Sequence, residues 1–192
     1  MAIKAMLVNS DNINSAPLEA MLQDSGFRLV DTVACNDNVI LHIEACNPDI
    51  VVINTNTLKK PTLAIVSSIS RNTPRPIVMF SEQGDSETIA DATNAGVSAY
   101  VLKDIGSHRI KSIMDAAIAR FNELQRLKDE LSETRSKLDD RKNIDRAKGL
   151  LMSKRNVNEN EAYRQLQKMA MEQNKKIGEI AKSILAMADL IG

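Results

Sequence analysis

The side chains best suited to chemistry are cations toward the C-terminus: Lys148, Lys154, Arg155, Arg164, Lys168, Lys175 and Lys176. With the apolar positions around them set aside, they leave a basic outer surface. Such groups contact phosphates and steer an anionic partner's approach. Arg164 and Gln165, with Tyr163, could add stacking or hydrogen bonds to unpaired bases, the usual way RNA sequence is read. Tyr163 equally suits a half-buried core position. Catalytic groupings are scarcer. His42 and His108 are far apart in sequence and lack metal-ligand spacing. Cys35 and Cys46 form no CxxC pair and read as buried or half-buried thiols of a reducing compartment. The sequence has no Walker A, GxSxG or dinucleotide fingerprint. The expectation is a binding protein with no cofactor or metal, and no enzyme.

A formal net charge of zero conceals a division along the chain. Residues 1–119 hold 9 Lys+Arg and 13 Asp+Glu, a net of −4. Residues 120–142 hold 7 and 6, a net of +1, and residues 143–192 hold 9 and 6, a net of +3. An acidic head suits protein partners and a basic tail suits phosphates. At 192 residues, 43% of them hydrophobic, the chain can build one medium and one small core. No apolar run approaches the roughly 18–20 residues of a membrane span. The start, MAIKAMLVNSD, lacks the apolar stretch and cleavage site of a signal peptide. A cytoplasmic protein without a membrane partner is expected.

The elements that must position these groups come in two styles. In the head, strands and helices alternate. Apolar runs at 2–8, 27–34, 49–54, 76–81 and 98–103 read as strands, with DIVVIN (49–54) the strongest. Helical spacing fills the intervals, and Gly26 and Gly96 close two of the helices. Continuous apolar strands between helices mean a parallel sheet covered on both faces. Five units in residues 1–119 predict an α/β, flavodoxin-like doubly wound domain.

A long helix follows from about Ser107 past Asp140. Ile110, Ile113, Ala117, Leu124, Leu127, Leu131 and Leu138 occupy its a and d heptad positions, with Arg120, Thr134 and Arg141 interrupting. The reading is a coiled-coil connector over 107–142; contact between two chains is preferred to an intramolecular hairpin. Residues 143–192 predict a three-helix bundle. Its helices run about 143–154, from an Asn158 cap with Glu161 returning to it, and about 176–190. Met152, Met169, Met171 and Met187 are expected to fill its core.

The head resembles a response-regulator receiver, on LVNSD after the first strand, DIVVIN, MFS and YVLK. In that family the first strand ends in an acidic pair that holds Mg²⁺, the third in the phosphoacceptor aspartate, the fourth in Ser or Thr and the fifth in Lys. Ser81 and Lys103 match, and Tyr100 stands at the position of a switching aromatic. Asn9 and Ser10 replace the acidic pair, with Asp11 just beyond, and Asn54 replaces the phosphoacceptor. An amide oxygen is a poor nucleophile, and Mg²⁺ prefers anionic oxygens. The resemblance with these departures implies a degenerate pocket that neither binds Mg²⁺ tightly nor takes phosphate. Lys103 is expected against Asp11 or Asn54.

Residues 141–185 resemble the ANTAR domain of transcription antiterminators, without gaps. The matching residues are Ala147-Lys148-Gly149-Leu150-Leu151-Met152, Glu161-Ala162-Tyr163 with Leu166, Ala170-Met171 and Ile180-Ala181. The whole layout resembles ANTAR regulators of nitrate assimilation and of amidase expression. The resemblance implies binding to paired leader-RNA stem-loops by a homodimer. It also implies control by a ligand-sensing regulatory protein in place of phosphorylation. The rivals are a DNA-binding response regulator, which the tail fits poorly for want of a tight helix-turn-helix, and a protein-only signalling adaptor.

Overall fold

A computed structural model describes residues 2–10, 13–36 and 38–191; Asp11 lies outside the described residues. Five strands, β1 (Lys4–Asn9), β2 (Arg28–Ala34), β3 (Ile50–Asn54), β4 (Ile77–Ser81) and β5 (Ala99–Leu102), alternate with four helices. These are α1 (Ala16–Asp24), α2 (Val39–Cys46), α3 (Lys60–Asn72) and α4 (Ser86–Ala95). All strand pairs are parallel, in the order β2-β1-β3-β4-β5. This is the expected doubly wound sheet, and its order reverses at β1/β3, where ligand sites of such sheets gather.

The runs of buried residues in β3 and β4 follow from helices on both faces. Successive residues divide between two cores. Leu7, Val52 and Phe80 share one with Leu18 and Leu22 of α1 and with the first turns of α5 (Ile110–Arg155). Val8, Ile53 and Met79 share the other with Val39 and Ile43 of α2, Val66 and Ile69 of α3 and Ala92 of α4. Gly96 ends α4 at φ +117, where a Cβ would also strike the Ser70 side chain.

The start of α5 corrects the expected seam. Ile110 and Ala117 are buried at 0% and 1% exposure, and Ile113 packs against the same core. Spacing by threes and fours serves a sheet-covering helix as well as a coiled coil, so these three close the head's core. The remaining seam residues, Leu124, Leu127, Leu131 and Leu138, are exposed at 48%, 46%, 52% and 55%.

The chain divides into compact units at 1–125 and 126–192, and α5 continues through the division. No separate helix begins at 143: that segment is the last part of α5. Gly149 does not break it, because one helical glycine costs only about 1 kcal/mol against alanine. The second unit packs Ala147 and Leu151 of α5 on Ala162, Leu166 and Ala170 of α6 (Glu159–Glu172) and Ile180 and Ala181 of α7 (Ile177–Ile191). Asn158 and Glu161 form the expected capping box. Asn156 and Asn174, at φ 52 and 51, follow the ends of α5 and α6 in the left-handed region asparagine tolerates. Met169 packs against this core. Met152, Met171 and Met187 are 38%, 83% and 63% exposed, so the expectation of a methionine-filled core fails for these three.

Candidate functional site

The C-terminal ends of the central strands bring the head's polar residues together. The register sets Asn9 beside Asn54. The Asn54 side-chain amide donates to Asn9 Oδ1 at 3.0 Å, and Asn54 is only 2% exposed. The Ser10 hydroxyl lies 2.7 Å from the Thr62 hydroxyl of α3. Ser81 is fully buried; its hydroxyl donates to the Asn56 carbonyl and accepts from the Gln83 amide, both at 3.2 Å. Lys103 donates from Nζ to Asn56 Oδ1 at 2.7 Å and stands 3.8 Å from a Glu82 oxygen. It was expected against Asp11, which lies outside the described residues, or Asn54; among the described residues it meets Asn56 and Glu82. The Tyr100 hydroxyl donates to the Gln83 carbonyl at 2.7 Å.

Asn56 is the residue sequence reading missed. It lies two positions beyond β3 and joins two of the expected pocket residues, Ser81 through its carbonyl and Lys103 through its side chain. Nothing in its spacing marks it, because it belongs to no periodic element. Asn54, Glu82 and Lys103 border a cleft of about 260 Å³ walled by Leu18, Met21 and Phe80. Among the described residues, Asn9, Ser10 and Asn54 offer only neutral oxygens, a poor match to Mg²⁺. Among the described residues, no group of three or more His, Cys, Asp or Glu side chains is placed to hold a metal ion. His42 stands 2.8 Å from Asp31 at the edge of the sheet, and Cys35 and Cys46 are half-buried.

The tail's cations do not form one patch. Lys148 departs furthest from the basic surface expected of it: its Nζ is ion-paired with Asp145 at 2.8 Å and Glu159 at 2.7 Å, with its side chain 16% exposed. The hydrogen bonds that Lys148 donates to Asp145 and Glu159 raise its pKa, and the bond from Lys148 lowers that of Asp145. Lys148 thus clamps α5 to the start of α6. Arg155 Nη1 donates to Gln165 Oε1 at 3.0 Å, bringing two of the expected contact residues together, with Lys154 exposed beside them. Arg164 and Lys168 lie one turn apart on the exposed side of α6, as does Met171; Tyr163, 38% exposed, lies roughly 100° round the helix from Arg164, toward the packed face. Lys168 approaches Glu172 at 3.9 Å, both well exposed. Lys175 and Lys176 are exposed past the other end of α6, roughly 21 Å along its axis by helical rise. The cations therefore run along α6 and do not focus on a point.

Residues 5–115 match the response regulator receiver domain, and residues 132–185 match the ANTAR domain. The chain is 24% identical over 182 residues to the transcriptional regulatory protein PdtaR of Mycobacterium tuberculosis, covering 95% of this chain and 89% of that one. It is 34% identical over 80 residues to a nitrate regulatory protein of Klebsiella oxytoca, covering 42% of this chain and 20% of that one. Among solved structures, a response regulator from Thermotoga maritima aligns at 16% identity and a TM-score of 0.54, over 62% of this chain and 99% of that one. That likeness shows the fold of the head.

Proposed function

The chain belongs to the response regulator receiver family and carries an ANTAR domain, and on that premise we propose that it is an RNA-binding transcription antiterminator. It binds paired stem-loops of leader RNA as a homodimer. The observation that carries this reading is where the ANTAR match falls. It covers the unit in which Arg164 and Lys168 lie one turn apart on the exposed side of α6, with Tyr163 still 38% exposed. Exposed cations on one helix face suit phosphates, and a partly exposed aromatic on the same helix suits an unpaired base.

Residues 1–119 act as a pseudo-receiver, 107–142 as the connector and 143–192 as the RNA-binding part. Leu124, Leu127, Leu131 and Leu138 supply the dimer seam, and linking two modest RNA contacts raises the overall affinity. Lys154, Arg155, Arg164, Gln165, Lys168, Lys175 and Lys176 meet the RNA, and Lys148 holds the helices that present them. Asn54, at the end of β3, offers an amide in place of an anionic nucleophile and is bonded to Asn9. Control therefore passes to a ligand-sensing regulatory protein, whose differing affinity for two states shifts their populations. Similarity to a protein named for nitrate regulation favours nitrate or nitrite as its ligand. No described helix is long and apolar enough to cross a membrane, and the reading places the protein in the cytoplasm.

Crosslinking in cells followed by sequencing of bound RNA tests the proposal. Reads concentrated on paired stem-loops ahead of one operon are expected. An absence of bound RNA would favour a protein-only adaptor.

A further inference from the structure

We infer that α5 joins a second copy of this chain in parallel and in register over Leu124–Leu138, and that the coil opens below Leu138. This rests on the dimeric reading above and adds orientation and limits to it.

With Leu124 at heptad position a, Leu131 and Leu138 are also a, and Leu127 and Thr134 are d. The four leucines are about half exposed, an apolar stripe on an otherwise charged helix. Ala117 lies in the head's core and Arg120 occupies the next d position, which sets the upper limit. The occupant is identified by the charges beside the stripe. The g positions are Glu123, Glu130 and Lys137; the e positions are Lys128, Arg135 and Lys142.

In a parallel, in-register pair each g residue faces the e residue of the following heptad on the other chain. Glu123 then meets the partner's Lys128, and Glu130 meets the partner's Arg135. Two-fold symmetry doubles both attractions. In an antiparallel pair e faces e and g faces g. The e flank would then set Lys128, Arg135 and Lys142 against one another or against the uncharged Phe121 and Gly149, and in no register against an anion. Charge therefore selects the parallel arrangement.

The same rule sets the lower limit. Lys137 would face the partner's Lys142, a repulsion repeated by symmetry, and Arg141 fills the next d position. Both disfavour a closed seam below Leu138. The apolar residues of α5 beyond that point, Ile144, Ala147 and Leu151, pack within their own chain's second unit. Opening there lets two such units separate from a short shared stem of about two heptads.

Sedimentation equilibrium of the full chain over a range of concentrations, with Lys128→Glu and the double variant Glu123→Lys/Lys128→Glu, tests this. Residues one turn from Lys128, namely Leu124, Gln125, Leu131 and Ser132, are uncharged, so the single change leaves the helix's own pairs alone. Lys128→Glu is expected to weaken dimerisation roughly 3- to 10-fold, from two lost pairs and two new repulsions. The double variant is expected to recover most of it. Tightening by Lys128→Glu would establish the antiparallel arrangement and overturn the inference, as would no effect of either variant. A native chain that stays monomeric throughout, with unchanged circular dichroism, would instead sink the dimeric reading itself.

Discussion

Asn54 donates its amide to Asn9 across adjacent strands at 3.0 Å, and the parallel register holds the two residues abreast. Two carboxylates in these places would repel and call for a cation; two amides satisfy one another without one. Acetyl phosphate with Mg²⁺ is therefore expected to leave the native protein's intact mass unchanged. Asn54→Asp alone is expected to stay unmodified too, and to lose about 1–3 kcal/mol by breaking the bond to Asn9 and burying a charge with no metal ion to hold it. One phosphate per chain on the native protein would overturn this.

The start of α5 and its exposed stripe should respond differently to the same substitution. Ile110→Ala is expected to cost about 2–5 kcal/mol in denaturant unfolding, because Ile110 is fully buried under the sheet. Leu131→Ala, at a residue 52% exposed, is expected to leave the head's stability nearly intact and to raise the dimer dissociation constant. Equal loss of stability in both would mean that the stripe is packed within one chain.

Much of this was legible in the sequence, and the failures have physical causes. The buried strands IVVIN and IVMFS announce themselves as continuous apolar runs, and Asn158 and Glu161 form the capping box their spacing implies. Heptad spacing does not say whether a sheet or a helix lies opposite, so it groups Ile110, Ile113 and Ala117 with the exposed leucines although they close the head's core. Lys148 looked like a surface cation because Glu159, its partner, is brought back only by the turn between α5 and α6. Asn56 sits in a loop, where tertiary hydrogen bonds leave no periodic trace.

Two glycines should answer to alanine with opposite signs. Gly149 lies exposed within α5 with open space around it, so Gly149→Ala is expected to stabilise the tail by about 1 kcal/mol. Gly178 of α7 is buried against the Asp140 side chain, which an added methyl would strike. Gly178→Ala is expected to lower the tail's melting temperature, read by circular dichroism.

The clamp at Lys148 sets a pH window. Its hydrogen bond holds Asp145 below the ordinary 3.8, so that contribution is present above pH 3.8 and fades as pH falls through the lower folded value. Lys148 itself lies above 10.5, so its contribution is full below that pH and is lost as pH rises through the folded value. Lys148→Met is expected to melt below the native protein at neutral pH, with the gap closing in strong acid and strong base. A gap unchanged by pH would show that the clamp adds nothing electrostatic.

Gel shift at fixed salt, comparing one leader stem-loop, a correctly spaced pair and a duplex DNA of equal length, tests RNA recognition most directly. The native chain is expected to bind the pair on the order of 10²-fold more tightly than the single stem-loop, with Arg164→Ala/Lys168→Ala weakening both. Equal affinity for the single and paired RNAs, or preference for the DNA, would contradict a dimeric RNA reader.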